Sequence, residues 1–321
     1  MPNLKAGRYY KINNWSEYNR ALVQRGSITI WIENGAIDQW FSDQKTGKPG
    51  RTQIYSDIAI LTLLVVREVF HLPLRALQGF VQSIFVLMGL SLRIPSYSQI
   101  SRRASVLGRR IKRLMKTGAR DLVFDSSGLK VYGEGEWKVK THGKGKRRTW
   151  RKLHLGINPA TQEIVIFDLT SSSEGDAPVA KRMLKQIKGP IKRVYGDGAY
   201  DSSSFREAIL ERGADGIIPP PKNATYKRAV DGWKRCRDEV LAEIEGLGGG
   251  DEGRRLWKKL KRYHRRSLGE TAFFRLKRLL GWSIKARSAK AQLSEAWSKC
   301  LAINTMTNLG MPRGRWIEGV I

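Results

Sequence analysis

Leu122-Val123-Phe124-Asp125-Ser126-Ser127-Gly128 is the stretch on which the fold turns. Upstream of it, apolar residues recur at helical spacing. From about residue 119 they come in short runs bounded by turn residues. Leu122 to Asp125 reads as a first strand, followed by Lys152 to Ile157, Glu163 to Thr170 and Arg193 to Asp197. A helix, Ala177 to Ile187, falls between the third and fourth strands, and another, Ser203 to Arg212, leads to a fifth strand ending at Pro219-Pro220-Pro221. Three strands in succession and then strand–helix alternation predict an α/β fold, a mixed sheet with helices on its faces.

Two carboxylates stand at strand ends in this reading: Asp125 closes the first strand and Asp197, in Val194-Tyr195-Gly196-Asp197-Gly198-Ala199-Tyr200, closes the fourth. Small residues follow each, so neither is shielded. Two such groups on neighbouring strands repel, and a divalent cation offsets the repulsion. Hard oxygen ligands with open positions suit Mg²⁺ or Mn²⁺, and two metals held this way activate water and stabilise a leaving oxygen in phosphodiester cleavage. The bland alternative is a turn-forming Asp at each place. Asp168, in the similar run Ile164 to Thr170, is read as structural, because its strand is the third of the series and lies toward a sheet edge.

A third charged group comes from a helix. At 100° per residue, Tyr263, Arg266, Glu270 and Lys277 share a wedge of about 60°, opposite a stripe of Leu268, Ala272, Leu276 and Leu279. Arg266 and Glu270 also make an ordinary i,i+4 pair on a solvated face, which leaves Tyr263 unexplained. Gly269 argues against one continuous helix. Phe274 lies near the charged wedge; the favoured reading packs it under the segment 222 to 252, with base stacking as the other.

Upstream, residues 1–118 form a mainly helical region, with helices over Ile54 to Phe70 and Leu74 to Leu92. The turn at Pro95 followed by a helix with Arg102, Arg103, Arg109, Arg110, Lys112 and Arg113 suits helix-turn-helix contact with DNA or, equally, a basic face on a packed bundle. Residues 119–321 make the second domain. Within it, 222–252, with Gly246-Leu247-Gly248-Gly249-Gly250, reads as a small insertion or lid containing a flexible loop.

Composition narrows the partners. Lys plus Arg is 59 against 29 Asp plus Glu, a formal charge of +30. Such a charge self-repels unless an anion offsets it, and a nucleic-acid backbone is the first candidate. Lys138 to Lys152 alone holds eight cations in fifteen residues and no acid, with Trp137 and Trp150 placed for base stacking or for core packing. Cys236 and Cys300 are the two cysteines, which excludes a disulfide framework or a CxxC metal site. The start lacks the apolar core of a signal peptide, and the longest apolar stretches, Ile58 to Val66 and Ile84 to Leu92, are too short to span a bilayer. A cytoplasmic, DNA-facing protein with no membrane contact is expected.

These residues resemble a known family. Tyr263-x2-Arg266-x3-Glu270-x6-Lys277 matches the Y-(2)-R-(3)-E-(6)-K signature of bacterial insertion-sequence DDE transposases. Asp125 and Asp197 fall where that family carries its first two catalytic aspartates. Asn14-Trp15-x2-Tyr18-Asn19-x2-Leu22-x2-Arg25-Gly26 is similar to members of the insertion-sequence-five family. The resemblance implies an RNase H-like catalytic core behind a helical DNA-end-binding region. It implies two Mg²⁺ ions, with Mn²⁺ as a possible substitute, held by Asp125, Asp197 and Glu270. It places Tyr263, Arg266 and Lys277 on DNA phosphates, and it implies a homodimer acting on paired terminal inverted repeats and on target DNA. The 73 residues from Asp197 to Glu270 leave room for a modest insertion only. Tyr263 as a covalent recombinase nucleophile is disfavoured, since no Arg-His-Arg clamp accompanies it. Two other readings stand beside the transposase: a transposon-derived DNA-binding protein that no longer cuts, and another RNase H-like nuclease.

Overall fold

A computed structural model describes residues 6–42, 54–111, 119–131, 150–228 and 232–320. The strand series begun at Leu122 forms one sheet. Its members are β2 (Asp121–Val131), β3 (Trp150–Ile157), β4 (Ile164–Ser171), β5 (Arg193–Tyr195) and β6 (Asp215–Ile217), lying side by side in the order β4-β3-β2-β5-β6. β3 is antiparallel to both β2 and β4; β5 is parallel to β2, and β6 to β5. A short strand, β7 (Ser283–Ile284), adds to the far end of β2. α7 (Asp176–Gln186) connects β4 to β5, and α8 (Ser203–Glu211) connects β5 to β6. This order and these directions are the RNase H-like topology.

Alternation along the strands divides the interior in two. Leu122, Phe124 and Val194 pack with Met183 and Leu184 of α7 and with Phe205 and Ile209 of α8. Val123, Leu129, Leu155 and Tyr195 face the other way, onto α11 (Ser267–Leu280) and α12 (Ala289–Leu309). Asp125 has the parity of Val123 and Leu129, so it faces α11.

The upstream region is mainly helical as expected: α1 (Trp15–Gln24), α2 (Ile28–Trp31), α3 (Asn34–Asp38), α4 (Asp57–Val69), α5 (Leu74–Leu87) and α6 (Tyr97–Ile111). Ser56 caps α4, its Oγ accepting from the Ala59 amide at 3.0 Å. These helices do not have a core of their own. Ile60, Leu63 and Val66 of α4 and Ile100 and Leu107 of α6 join the same cluster as Trp297, Ile303 and Met306 of α12 and Val123 of the sheet. The helices upstream and the sheet downstream therefore share one continuous core among the described residues. Along α6, Ile100, Ala104 and Leu107 are buried and Arg102 is exposed. Arg103 is spoken for by the Tyr55 carbonyl and by an ion pair with Asp57.

Two segments depart from the expectation. The glycine run at 246–250 is a tight turn joining α9 (Gly232–Gly246) to α10 (Gly250–Leu260), not a flexible loop. Gly248, Gly249 and Gly250 take positive φ to make it, and Val240, Ile244 and Trp257 of this helical hairpin enter the main core. Residues 6–12, read without secondary structure, form β1 (Ala6–Ile12), which pairs antiparallel with β8 (Gly314–Val320) in a separate two-stranded ribbon. Lys45 to Arg51, Lys112, Arg113, Trp137 and most of the basic run 138–152 lie outside the described residues. Among the described residues no helix is long and apolar enough to cross a membrane.

Candidate active site

Asp125 does not end its strand; β2 continues through Ser126, Ser127 and Gly128 to Val131, paired with β3 all along that run. The small residues, expected to leave a strand-end carboxylate unshielded, lie inside the strand and keep it thin where a helix crosses it. That helix is α11. A Cβ on Gly269 would lie 2.7 Å from the Asp125 Cβ and 2.9 Å from its Oδ2. Gly269, which counts against helix by propensity alone, is required by this approach.

Asp197 follows β5 directly. It caps a 3₁₀ turn, Gly198–Tyr200, with Oδ1 accepting from the Ala199 amide at 2.9 Å. Two residues past Tyr195 on extended backbone, it emerges on the α11 side of the sheet.

The continuous helix expected from Tyr263 is broken. Arg262 adopts a left-handed conformation (φ 54°) after α10, Tyr263–Arg266 form a 3₁₀ turn, and α11 begins at Ser267. The charged wedge nonetheless converges, because turn and helix wrap around one spot above β2. Arg266 donates from Nη1 to Glu270 Oε1, and its Nη2 lies 4.0 Å from Asp197 Oδ2. Lys277 Nζ donates to Ser127 Oγ at 2.6 Å and stands 5.3 Å from the Trp282 ring centroid. Tyr263 is half-buried, with Lys258 Nζ 5.4 Å from its ring centroid.

Electrostatics bind the groups into one site. Burial pushes the Asp125 carboxyl up to about 6; the Ser126 amide and Arg266 pull it down, while Asp197 and Glu270 push it further up. Burial likewise raises Tyr263, which feels Arg266, Asp197, Glu270 and Asp125 together. Lys277 is lowered by burial and held back by Asp125. Among the described residues no three acidic, His or Cys side chains form a ready-made metal cage. Instead Arg266 stands between Asp197 and Glu270 as a cation. The donor set fits a divalent ion in chemistry: hard oxygens from three elements, in mutual repulsion, already gathered on a positive charge.

Asp168 lies on the other face. It pairs across the sheet with His154, which in turn sits opposite Ser126, and Arg182 Nη2 approaches it to 3.7 Å. Phe274, expected to pack, is 68% exposed, because the helical hairpin packs against α8 and the 3₁₀ turn instead. Sequence reasoning missed Ser127, Gly269 as a contact, Tyr200 and Trp282. Tyr200 is buried close behind Asp197, where Ser126, Asp125 and Asp197 are near enough to act on its hydroxyl. Trp282 is 68% exposed beside Lys277. Its only sequence signal was a large aromatic directly after Gly281.

Comparison with known families identifies the family. Two family models described as a transposase DDE domain match, one over residues 23–134 and one over 116–305, the latter more than half of the chain. The chain belongs to the DDE transposases. The match over 116–305 spans Asp125, Asp197, Tyr263, Arg266, Glu270 and Lys277. Among solved structures, the transposase is similar to a piggyBac transposase synaptic complex with hairpin DNA, at 12% identity over 94% of this chain and 76% of that one, TM-score 0.41. It is also similar to a Mos1 strand transfer complex, at 14% identity over 72% and 81%, TM-score 0.23. A pre-cleavage Mos1 transpososome matches at 13% identity over 82% of each chain, TM-score 0.20. These likenesses are loose; the strand order of the transposase's own sheet identifies the fold.

Proposed function

We propose that this DDE transposase binds the terminal inverted repeats of an insertion sequence and catalyses metal-dependent strand cleavage and strand transfer there. The observation that supports this most is the meeting of Asp125, Asp197 and Glu270, from a strand, a post-strand turn and a helix, around Arg266. Asp125, Asp197 and Glu270 would hold two Mg²⁺ ions, or Mn²⁺ in their place. Bound there, the ions supply an activated water and charge for a leaving oxygen on phosphorus.

The chain's own side chains do the rest. Arg266 neutralises Glu270 and Asp197 in the metal-free protein; once these carboxylates turn to another cation, its planar fork is free for a DNA phosphate. Lys277, held at the β2 surface by Ser127, presents a point charge to a second phosphate. Tyr263 keeps its proton, since burial raises it, and acts as a hydrogen-bond donor. The exposed Trp282 ring offers a stacking surface for a base next to Lys277. Action as a homodimer on paired ends belongs to the same proposal.

The test is a cleavage and strand-transfer assay on the element's own terminal sequence, with random duplex as control, with and without Mg²⁺. Mg²⁺-dependent nicking at the element's end supports the proposal. Binding without cleavage under either cation would favour the non-cutting DNA-binding reading, and cleavage indifferent to end sequence would favour a general nuclease.

A further inference from the structure

The ribbon of β1 and β8 has no part in the site just described, yet it is built in a way folding alone does not favour. Its register sets Lys11 directly opposite Arg315 and Tyr10 directly opposite Trp316. Like charges facing each other across a strand pair are destabilising. Both cations are exposed, and among the described residues neither has a carboxylate partner. Arg313, just before β8, adds a third exposed cation nearby. On the opposite face, Tyr10 and Trp316 meet edge to face at 5.5 Å while remaining 45% and 68% exposed.

Hydrogen bonds seat the ribbon. Asn14 Nδ2 donates to the Met311 carbonyl at 3.1 Å, and the Arg313 amide donates to Asn14 Oδ1 at 2.7 Å. The Asn13 amide donates to the Arg313 carbonyl at 2.8 Å. Gly314 allows the closest approach, since a Cβ there would meet the Lys11 carbonyl oxygen at 2.1 Å. At the ribbon's foot, Arg25, the residue that ends α1, donates to the Gly310 carbonyl. Arg25 is near enough to Arg275 that the two cations act on each other, and Arg275 lies on α11, the helix that carries Glu270 and Lys277. The foot of the ribbon thus lies near α11.

A two-stranded antiparallel ribbon with exposed cations on one face and an exposed aromatic pair on the other fits a nucleic-acid duplex in charge. We infer that the β1–β8 ribbon is a second DNA-contact surface of this transposase, with Lys11, Arg313 and Arg315 on backbone phosphates. The inference rests on the transposase reading above and adds to it a contact separate from the catalytic site. The contact is to the sugar–phosphate backbone, so it acts on any sequence and falls with salt.

The test uses the full chain and a 40-base-pair duplex probe, in a gel-shift series across salt. Lys11→Glu is the informative variant. It places opposite charges across from each other in the ribbon, so a purely structural role forecasts equal or greater thermal stability and unchanged DNA binding. The DNA-contact role forecasts unchanged or raised stability together with binding weakened by roughly fivefold or more and a salt slope shallower by about one. Lys188→Glu, on the exposed loop after α7, carries the same change in net charge and serves as control. Lys11→Glu binding equal to that of Lys188→Glu overturns the inference while leaving the transposase reading intact. A parent protein that shifts no duplex overturns both. A DNA-free protein whose oligomeric state in sedimentation changes with Lys11→Glu, with DNA binding following that change, overturns it in favour of a contact between two copies of the chain.

Discussion

Replacing Gly269 with Ala is the sharpest test of the site's geometry. By propensity the change should help, since Ala in a helix interior is better than Gly by about 1 kcal/mol. The structure forecasts the reverse. The new methyl would sit 2.7 Å from the Asp125 Cβ, and an ordinary carbon contact needs about 3.5 Å, so α11 must rise from β2 by roughly 0.8 Å. Overpacking of this kind costs about 1–3 kcal/mol. Set against the propensity gain, the net loss is about 0–2 kcal/mol. Function should suffer more. Glu270 and Lys277 ride on α11 while Asp125 and Ser127 stay on β2, and a misplacement approaching 1 Å costs catalysis on the order of 10²-fold. Gly79→Ala in α5 is the matched control, because nothing lies within 4 Å of its would-be Cβ; it should gain about 0.5–1 kcal/mol. The measurements are urea unfolding and strand cleavage for both variants. Gly269→Ala matching the stability gain of Gly79→Ala, with cleavage intact, would refute the close approach of α11 to Asp125.

Three further outcomes are expected. Lys299 is buried, with Nζ 2.9 Å from Glu68 Oε2, so Lys299→Met removes the nearer of the two cations beside this buried carboxylate, leaving Arg67 Nη1 at 3.4 Å, and should cost up to about 3–5 kcal/mol in chemical unfolding. The exposed pair of Lys185 with Glu211, 4.0 Å apart, should cost under about 1 kcal/mol when Lys185 is changed likewise. Burial lowers His154 to about 4 from an ordinary 6.5. The unfolded chain therefore takes up the proton first, and stability is whole above about 6.5 and falls as pH drops toward 4, by at most about 3 kcal/mol; His154→Gln should flatten that part of a stability–pH curve. Arg266→Ala and Lys277→Ala should each weaken binding to transposon ends and flatten its salt dependence by about one phosphate's worth, with no recovery on adding Mg²⁺; silence of both variants in a salt-series gel shift would return them to an ordinary solvated face.

The strand series was legible because each run is short, apolar and flanked by turn residues: four of the five strands and both crossover helices fall within a few residues of their reading, while β2 runs on to Val131, past the Asp125 expected to end it. Asp125 was found with the wrong local reason. Ser-Ser-Gly is turn-like in isolation, and only the crossing of α11 explains why a strand needs it. The break in the expected helix was hinted at by Gly269 but lies earlier, where the left-handed Arg262, a conformation that no propensity assigns to arginine, and the 3₁₀ turn Tyr263–Arg266 precede α11. The ribbon was illegible for a different reason: its partners are some 300 residues apart in sequence, and neither strand has the alternating apolar pattern of a half-buried sheet. Likewise the joining of α4 and α6 to α12 is a long-range packing fact that helical periodicity signals on each helix without naming the partner.

The central claim is that Asp125, Asp197 and Glu270 act as one metal-dependent set, and cleavage of the element's terminal sequence by single isosteric variants tests it most directly. In saturating Mg²⁺, Asp125→Asn, Asp197→Asn and Glu270→Gln should each abolish strand cleavage while shifting the same end fragment in a gel as the parent does. Asp168→Asn, altered on the opposite face of the sheet, should cut normally. Substantial cleavage by any of the first three, or its loss in Asp168→Asn with binding intact, would contradict the assignment.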